Sequence, residues 1–198
     1  AGRILAIDPF NQPNVQESKD NTKSVLEVAG DGPLPTGEPA FTDGPVEVYG
    51  DPAELGGASD LAGVLHSVLA AVPGNGYVAV MAYLDRLHDA ETAEVRDLLA
   101  SRTTHPVTFG WGPRFLHSTG QFHKGGPPVG VFLQITGVAA TDVAVPGQPF
   151  GFARLQLAQA LGDLQALRAR SRPAVRLHLT DRAAGIAALL SAAGNGSR

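Results

Sequence analysis

Apolar and polar positions fall in alternating blocks along the chain. The run RILAI (3–7) is greasy and predicts a strand, closed by a tight Asp-Pro-Phe-Asn-Gln-Pro corner. Pro13 suits a first helical turn, where its missing N–H would be unpaired anyway. A helix is expected from Asn14 to about Ala29. Its apolar stripe is thin: Val15, Val25, Leu26 and Val28. Residues 30–45 are rich in Gly and Pro and read as a linker or extended surface loop.

Beyond that loop the periodicity changes from element to element. VEVYG (46–50) reads as a strand. Residues 59–72 read as a helix with Ser59 as N-cap and Leu61, Val64, Leu65, Val68 and Leu69 at helical spacing. YVAVMAYL (77–84) is a continuous apolar run, as expected of a strand buried on both faces. A helix over 89–103, strands over 107–112 and 129–137, a long amphipathic helix over 152–170, a strand over 174–179 and a helix over 181–194 follow. This alternation predicts an α/β sandwich, with a mostly parallel or mixed sheet and helices on both faces.

Composition narrows the function classes. Hydrophobic content is 43% and charged content 17%, which gives ample core. The formal net charge of −4, without blocks of like charge, provides no footprint for nucleic acid or membrane surfaces. There are no cysteines, hence no disulfides or thiol chemistry, which fits a cytoplasmic protein. No run approaches the ~20 apolar residues of a membrane-spanning helix. A chain that opens directly on a strand is expected to be a piece of a larger protein.

Two regions carry candidate chemistry. At the corner, the first N–H groups of a helix favour an anion. Gln12 sits at that mouth. Lys19, seven residues on, returns within about 20° of the same helical face. An amide and an ammonium on one side suit a phosphorylated, oxygen-rich small molecule; a capped helix with a solvent lysine fits the same spacing. The second region, 110–127, holds Arg114, His117, Ser118, Thr119, Gln121, His123 and Lys124 among glycines. It reads either as a ligand loop or as a surface loop braced by internal hydrogen bonds. It lacks the P-loop pattern, and no third ligand accompanies its two histidines, so no metal is expected. His66 and His178 read as structural, and Trp111 as packed under its loop.

The stretch DPFNQPNVQESK resembles the DPF-D-Q-P-G-V-E-x-x-K signature near the C-terminal end of phosphoglucose isomerases. The departures are Asn11, Asn14 and Gln16. Residues 110–137 and the helix that follows are similar to the C-terminal extension of bifunctional transaldolase/phosphoglucose isomerases. The resemblance implies glucose 6-phosphate/fructose 6-phosphate interconversion through an enediol, without a cofactor. It implies substrate phosphate contact for Gln12 and a catalytic place for Lys19, with Arg114, His117, His123 and Lys124 as further substrate-binding candidates. The family's ring-opening histidine precedes the lysine signature, so its role is not carried to His117 or His123. The family's catalytic glutamate, its arginine and its Ser/Thr phosphate loop also lie upstream of the signature. The expectation is therefore residues 1–30 as the end of an isomerase domain, 31–45 as linker and 46–198 as an α/β C-terminal domain. An upstream isomerase domain and a homodimer would complete the enzyme, and the isolated chain would be nearly inactive. The alternative is a noncatalytic assembly or sugar-phosphate-sensing module.

Overall fold

The computed structural model describes residues 2–195 except 9 and 12. Its elements are α1 (Gly2–Leu5), α2 (Pro13–Ala29), β1 (Phe41–Asp43), β2 (Val46–Tyr49), α3 (Pro52–Leu55), α4 (Leu61–Ala70), β3 (Tyr77–Tyr83), α5 (Val95–Ala100), β4 (Val107–Trp111), α6 (Thr119–Gly125), β5 (Gly130–Gly137), α7 (Phe152–Arg168), β6 (Ala174–Leu179) and α8 (Arg182–Gly194). Short 3-10 turns span 90–94 and 114–117.

The six strands form one mixed sheet in the order β1-β2-β6-β5-β3-β4. The four strands β6, β5, β3 and β4 run parallel, and β1 and β2 join antiparallel at one edge. Alternation within the strands divides the core. Val131, Leu133 and Ile135 of β5 face the layer of α4, α5 and α8, where Val64, Leu65, Leu99, Ile186 and Leu189 are sealed. Phe132 faces the other way, with Met81 and Tyr83, under Ala160, Leu164 and Leu167 of α7. The chain is thus an α/β protein with helices on both faces of its sheet, as the alternation predicted.

α2 adds a further layer over α7. Its inward stripe is Val15, Ser18, Thr22 and Val25, all buried. The hydroxyls of Ser18 and Thr22 donate back to the carbonyls of Asn14 and Ser18, which lets two polar residues join an apolar face. Gly162 supplies the close approach: a Cβ there would stand 2.9 Å from the Thr22 nitrogen. Asn21 donates to the Gly162 carbonyl at 3.2 Å, and Arg170 clasps Glu17 through two bonds of 2.6 and 2.7 Å.

Several local expectations are corrected. Residues 3–7 are not a strand: Gly2–Leu5 form a single helical turn with Ile4, Leu5 and Ile7 exposed. A lone strand needs a neighbour to pair its backbone, whereas a turn satisfies itself, as in the Ile7 N–H bond to the Gly2 carbonyl. Asp60, not Ser59, caps α4, accepting from the Gly63 N–H at 2.7 Å. The helix expected over 89–103 is a 3-10 turn followed by α5. The 31–45 segment, expected as a linker, ends in β1 and lies on the body of the fold: Leu34 is buried and the Thr36 carbonyl takes a bond from Arg176. At the turn after β1, the Pro45 carbonyl accepts from both the backbone and the hydroxyl of Thr180. Among the described residues no helix is long and apolar enough to cross a membrane.

Candidate functional site

Lys19 stands on the outer flank of α2, one position past the buried Ser18, so docking of the helix on α7 fixes where its ammonium emerges. One turn later Lys23 shares that flank. Across from them the chain leaves β4 through Gly112 and Pro113 and makes the 114–117 turn. Phe115 and Leu116 turn inward there, leaving Arg114 and His117 exposed. These two pieces wall a cleft of about 520 Å³, closed by Gln148 and Phe150 from the loop before α7 and by Leu155 and Gln159 of α7.

The cleft combines cations, amides and an apolar wall. Lys19 and Lys23 bring amino groups, Arg114 a guanidinium and His117 an imidazole. Glu27 is the one carboxylate lining it among the described residues, and it pairs with Lys23 at 3.5 Å. Neither Lys19 nor Arg114 has a carboxylate partner among the described residues. Val15, Leu26, Leu116 and Phe150 supply surface for C–H groups. Such a lining fits a phosphorylated polyol, its anion met by ammonium and guanidinium and its hydroxyls by the glutamine amides.

A wider cleft of about 910 Å³ lies beyond the carboxyl ends of β3 and β5, and it shares Pro113, Leu155 and Gln159 with the first as a common wall. Such crevices are where open α/β sheets bind ligands. Its charged groups are largely turned on each other. Arg182 donates to Asp89 at 2.9 Å, and His88 Nδ1 lies 2.8 Å from Asp85. The His88 contact, with two backbone N–H bonds, draws the Asp85 carboxyl down to about 2.

The expected site residues divide. Lys19, Arg114 and His117 meet in the smaller cleft. Gln12 lies outside the described residues. His123 and Lys124 do not reach a ligand: the stretch expected as a glycine-rich loop contains α6, and both side chains point from it into the core. His123 packs against Phe132 with ring centroids 5.0 Å apart, and also against Tyr77 and Phe115. Burial, helped by the Lys124 charge, holds its pKa down to about 4. Lys124 donates to buried Asp163, which also accepts from Tyr83 at 3.3 Å. Burial raises the Asp163 carboxyl, opposed by the Lys124 charge and by both hydrogen bonds. His178 is structural, its Nδ1 2.9 Å from the Thr136 hydroxyl. Trp111 packs edge-on against Phe109.

Sequence reasoning misses Lys23, Gln148 and Gln159. Lys23 is within its reach, four residues past Lys19 on the same face. The glutamines come from distant segments and have no sequence pattern that links them to α2.

No family model matches the chain, and no curated protein matches it. Among solved structures, hypothetical protein TT0462 from Thermus thermophilus is similar in fold, with a TM-score of 0.52 at 18% identity over 67% of this chain. The chain spans 36% of that protein's length.

Proposed function

We propose that this chain forms one wall of the active site of a glucose-6-phosphate isomerase, a cytoplasmic enzyme of sugar-phosphate metabolism. The cleft between α2 and the 114–117 turn receives the sugar phosphate. The observation that carries this reading is the meeting of Lys19 and Arg114, distant in sequence, in one cleft where, among the described residues, no carboxylate neutralises either of them. On this reading Lys19 is the catalytic candidate and stabilises oxyanion character at the reacting end, while Arg114 and His117 hold the substrate. Enediol chemistry also needs a base to carry the proton between C1 and C2. Glu27 is already engaged by Lys23, so that base comes from an upstream isomerase domain of the same protein or from the second subunit of a homodimer.

That same engagement of Glu27 supports the second reading, a noncatalytic module that senses sugar phosphate. Calorimetric titration of fructose 6-phosphate into the chain, with a coupled assay for glucose 6-phosphate, tests both. Saturable binding with turnover close to background is expected. Lys19→Ala and Arg114→Ala should each weaken binding roughly ten- to a hundredfold, the scale of one charge-assisted hydrogen bond. In the full-length protein Lys19→Ala should abolish turnover; retained turnover there leaves the sensing module. Absence of binding, or unchanged binding in both variants, removes the cleft from either reading.

A further inference from the structure

Apart from the Lys19 cleft, a smaller pocket of about 270 Å³ lies between the 35–38 segment, the end of β2 and the last turns of α7. Two arginines line it, Arg168 from α7 and Arg176 from β6. Arg168 is exposed. Arg176 is 1% exposed, and its position explains why: it lies on a central strand under α7. Its guanidinium stacks 3.6 Å from the centroid of the Tyr49 ring, and Nη2 donates to the Thr36 carbonyl at 2.8 Å. Nε and Nη1 are buried with no partner among the described residues.

A sealed guanidinium is ordinarily answered by a carboxylate, because burying an uncompensated charge is costly. Here none does so among the described residues. The Glu47 carboxylate is bonded to the Tyr49 hydroxyl at 2.6 Å and acts on Arg176 through its charge, without a direct bond. Glu38 and Asp51 also line the pocket but are exposed, and neither pairs with an arginine. Gln134, the register neighbour of Arg176 on β5, leaves its own side-chain oxygen unpaired and supplies no charge. Arg168 adds a second cation to the same lining.

We propose that this pocket is a phosphate-binding site, separate from the Lys19 cleft, in which Arg168 and Arg176 hold a dianionic phosphate group against the backbone of residues 36–38. Paired guanidinium groups suit the geometry of phosphate oxygens. The pocket is too small for a large metabolite, so the occupant is inorganic phosphate or the phosphate end of a small monoester.

The test is titration of inorganic phosphate into the intact chain, followed by amide NMR shifts, and repeated with glycerol 3-phosphate. Saturable shifts at Thr36, Gly37, Glu38 and Arg168 are expected. Arg168→Gln, on the exposed flank, should weaken them roughly ten- to a hundredfold. Lys19→Ala should leave them unchanged, which keeps this result separate from the fate of the isomerase reading. Arg176→Gln should abolish them; if that variant fails to fold, Arg168→Gln decides. Tighter binding of glycerol 3-phosphate assigns a monoester, and tighter binding of phosphate assigns the free ion. Non-saturating drift, shifts confined to the Lys19 cleft, or full binding by Arg168→Gln would overturn the proposal.

Discussion

His123 and Lys124 are adjacent in sequence, and both are buried, but the fold keeps one neutral and gives the other a partner. The His123 ring sits among Phe132, Tyr77 and Phe115 and is held neutral, with its pKa down at about 4 from 6.5. A base with a depressed folded pKa stabilises the fold above its unfolded value. That contribution is lost as pH falls from about 6.5 towards 4, and amounts at most to roughly 3 kcal/mol. His123→Phe keeps the aromatic packing and removes the titration. Its unfolding midpoint in an acid titration should shift to lower pH, with little change at pH 8. Lys124→Ala behaves differently. It strands the Asp163 carboxyl in the core and should cost about 3–5 kcal/mol in urea unfolding at neutral pH. In the sequence these two residues look like neighbours of Arg114 and His117 in one polar, glycine-rich stretch. Only a helical turn starting at Thr119 separates the inward pair from the outward pair, and glycines at 120, 125 and 126 hide that helix from any propensity argument.

The α2–α7 pair is the element on which the Lys19 cleft depends. Valine at position 162 would press on the Thr22 backbone and push the helices apart, so Gly162→Val should destabilise by about 1–3 kcal/mol. It should also weaken fructose 6-phosphate binding although no cleft residue is changed, a result that calorimetry on the folded variant would read directly. The Arg170–Glu17 clasp supports the same contact. The Arg170 hydrogen bond lowers the Glu17 carboxyl, so its contribution is present above the unfolded value of 4.5 and is lost as pH falls through the lower folded one. The apolar period of α2 is only half legible: Val15 and Val25 stand out, whereas Ser18 and Thr22 read as solvent positions. Their hydroxyls bond within the helix, and that is invisible until the helix is docked. The strands are easier to see. Those of the sheet centre are sealed on both faces, and YVAVMAYL or AVRLHL can hardly be anything else.

At the scale of the molecule, the alternation of elements is enough to predict the layered α/β class, because each amphipathic helix must cover a sheet face. Strand order is beyond reach, since β3 pairs with both β4 and β5 across long intervals and no local pattern encodes that choice. The convergence of positions 19 and 114 is hidden for the same reason. With α2 packed on α7 and α7 on the sheet, a ligand bridging α2 and the 114–117 turn acts on the whole fold. Saturating fructose 6-phosphate at a hundred times its Kd should add about 2.7 kcal/mol to stability, seen as a raised thermal midpoint that Lys19→Ala loses.

The edge strand β1 is only three residues long. Prolines at positions 39 and 45 flank it, Asp43 is spent on the N–H of Leu61, and the Pro45 carbonyl is spent on Thr180. A border so brief, with a proline on either side, offers an incoming strand little to copy. Sideways growth of the sheet, whether into a dimer or a fibril, is therefore steered to the other margin, where β4 presents five residues of backbone.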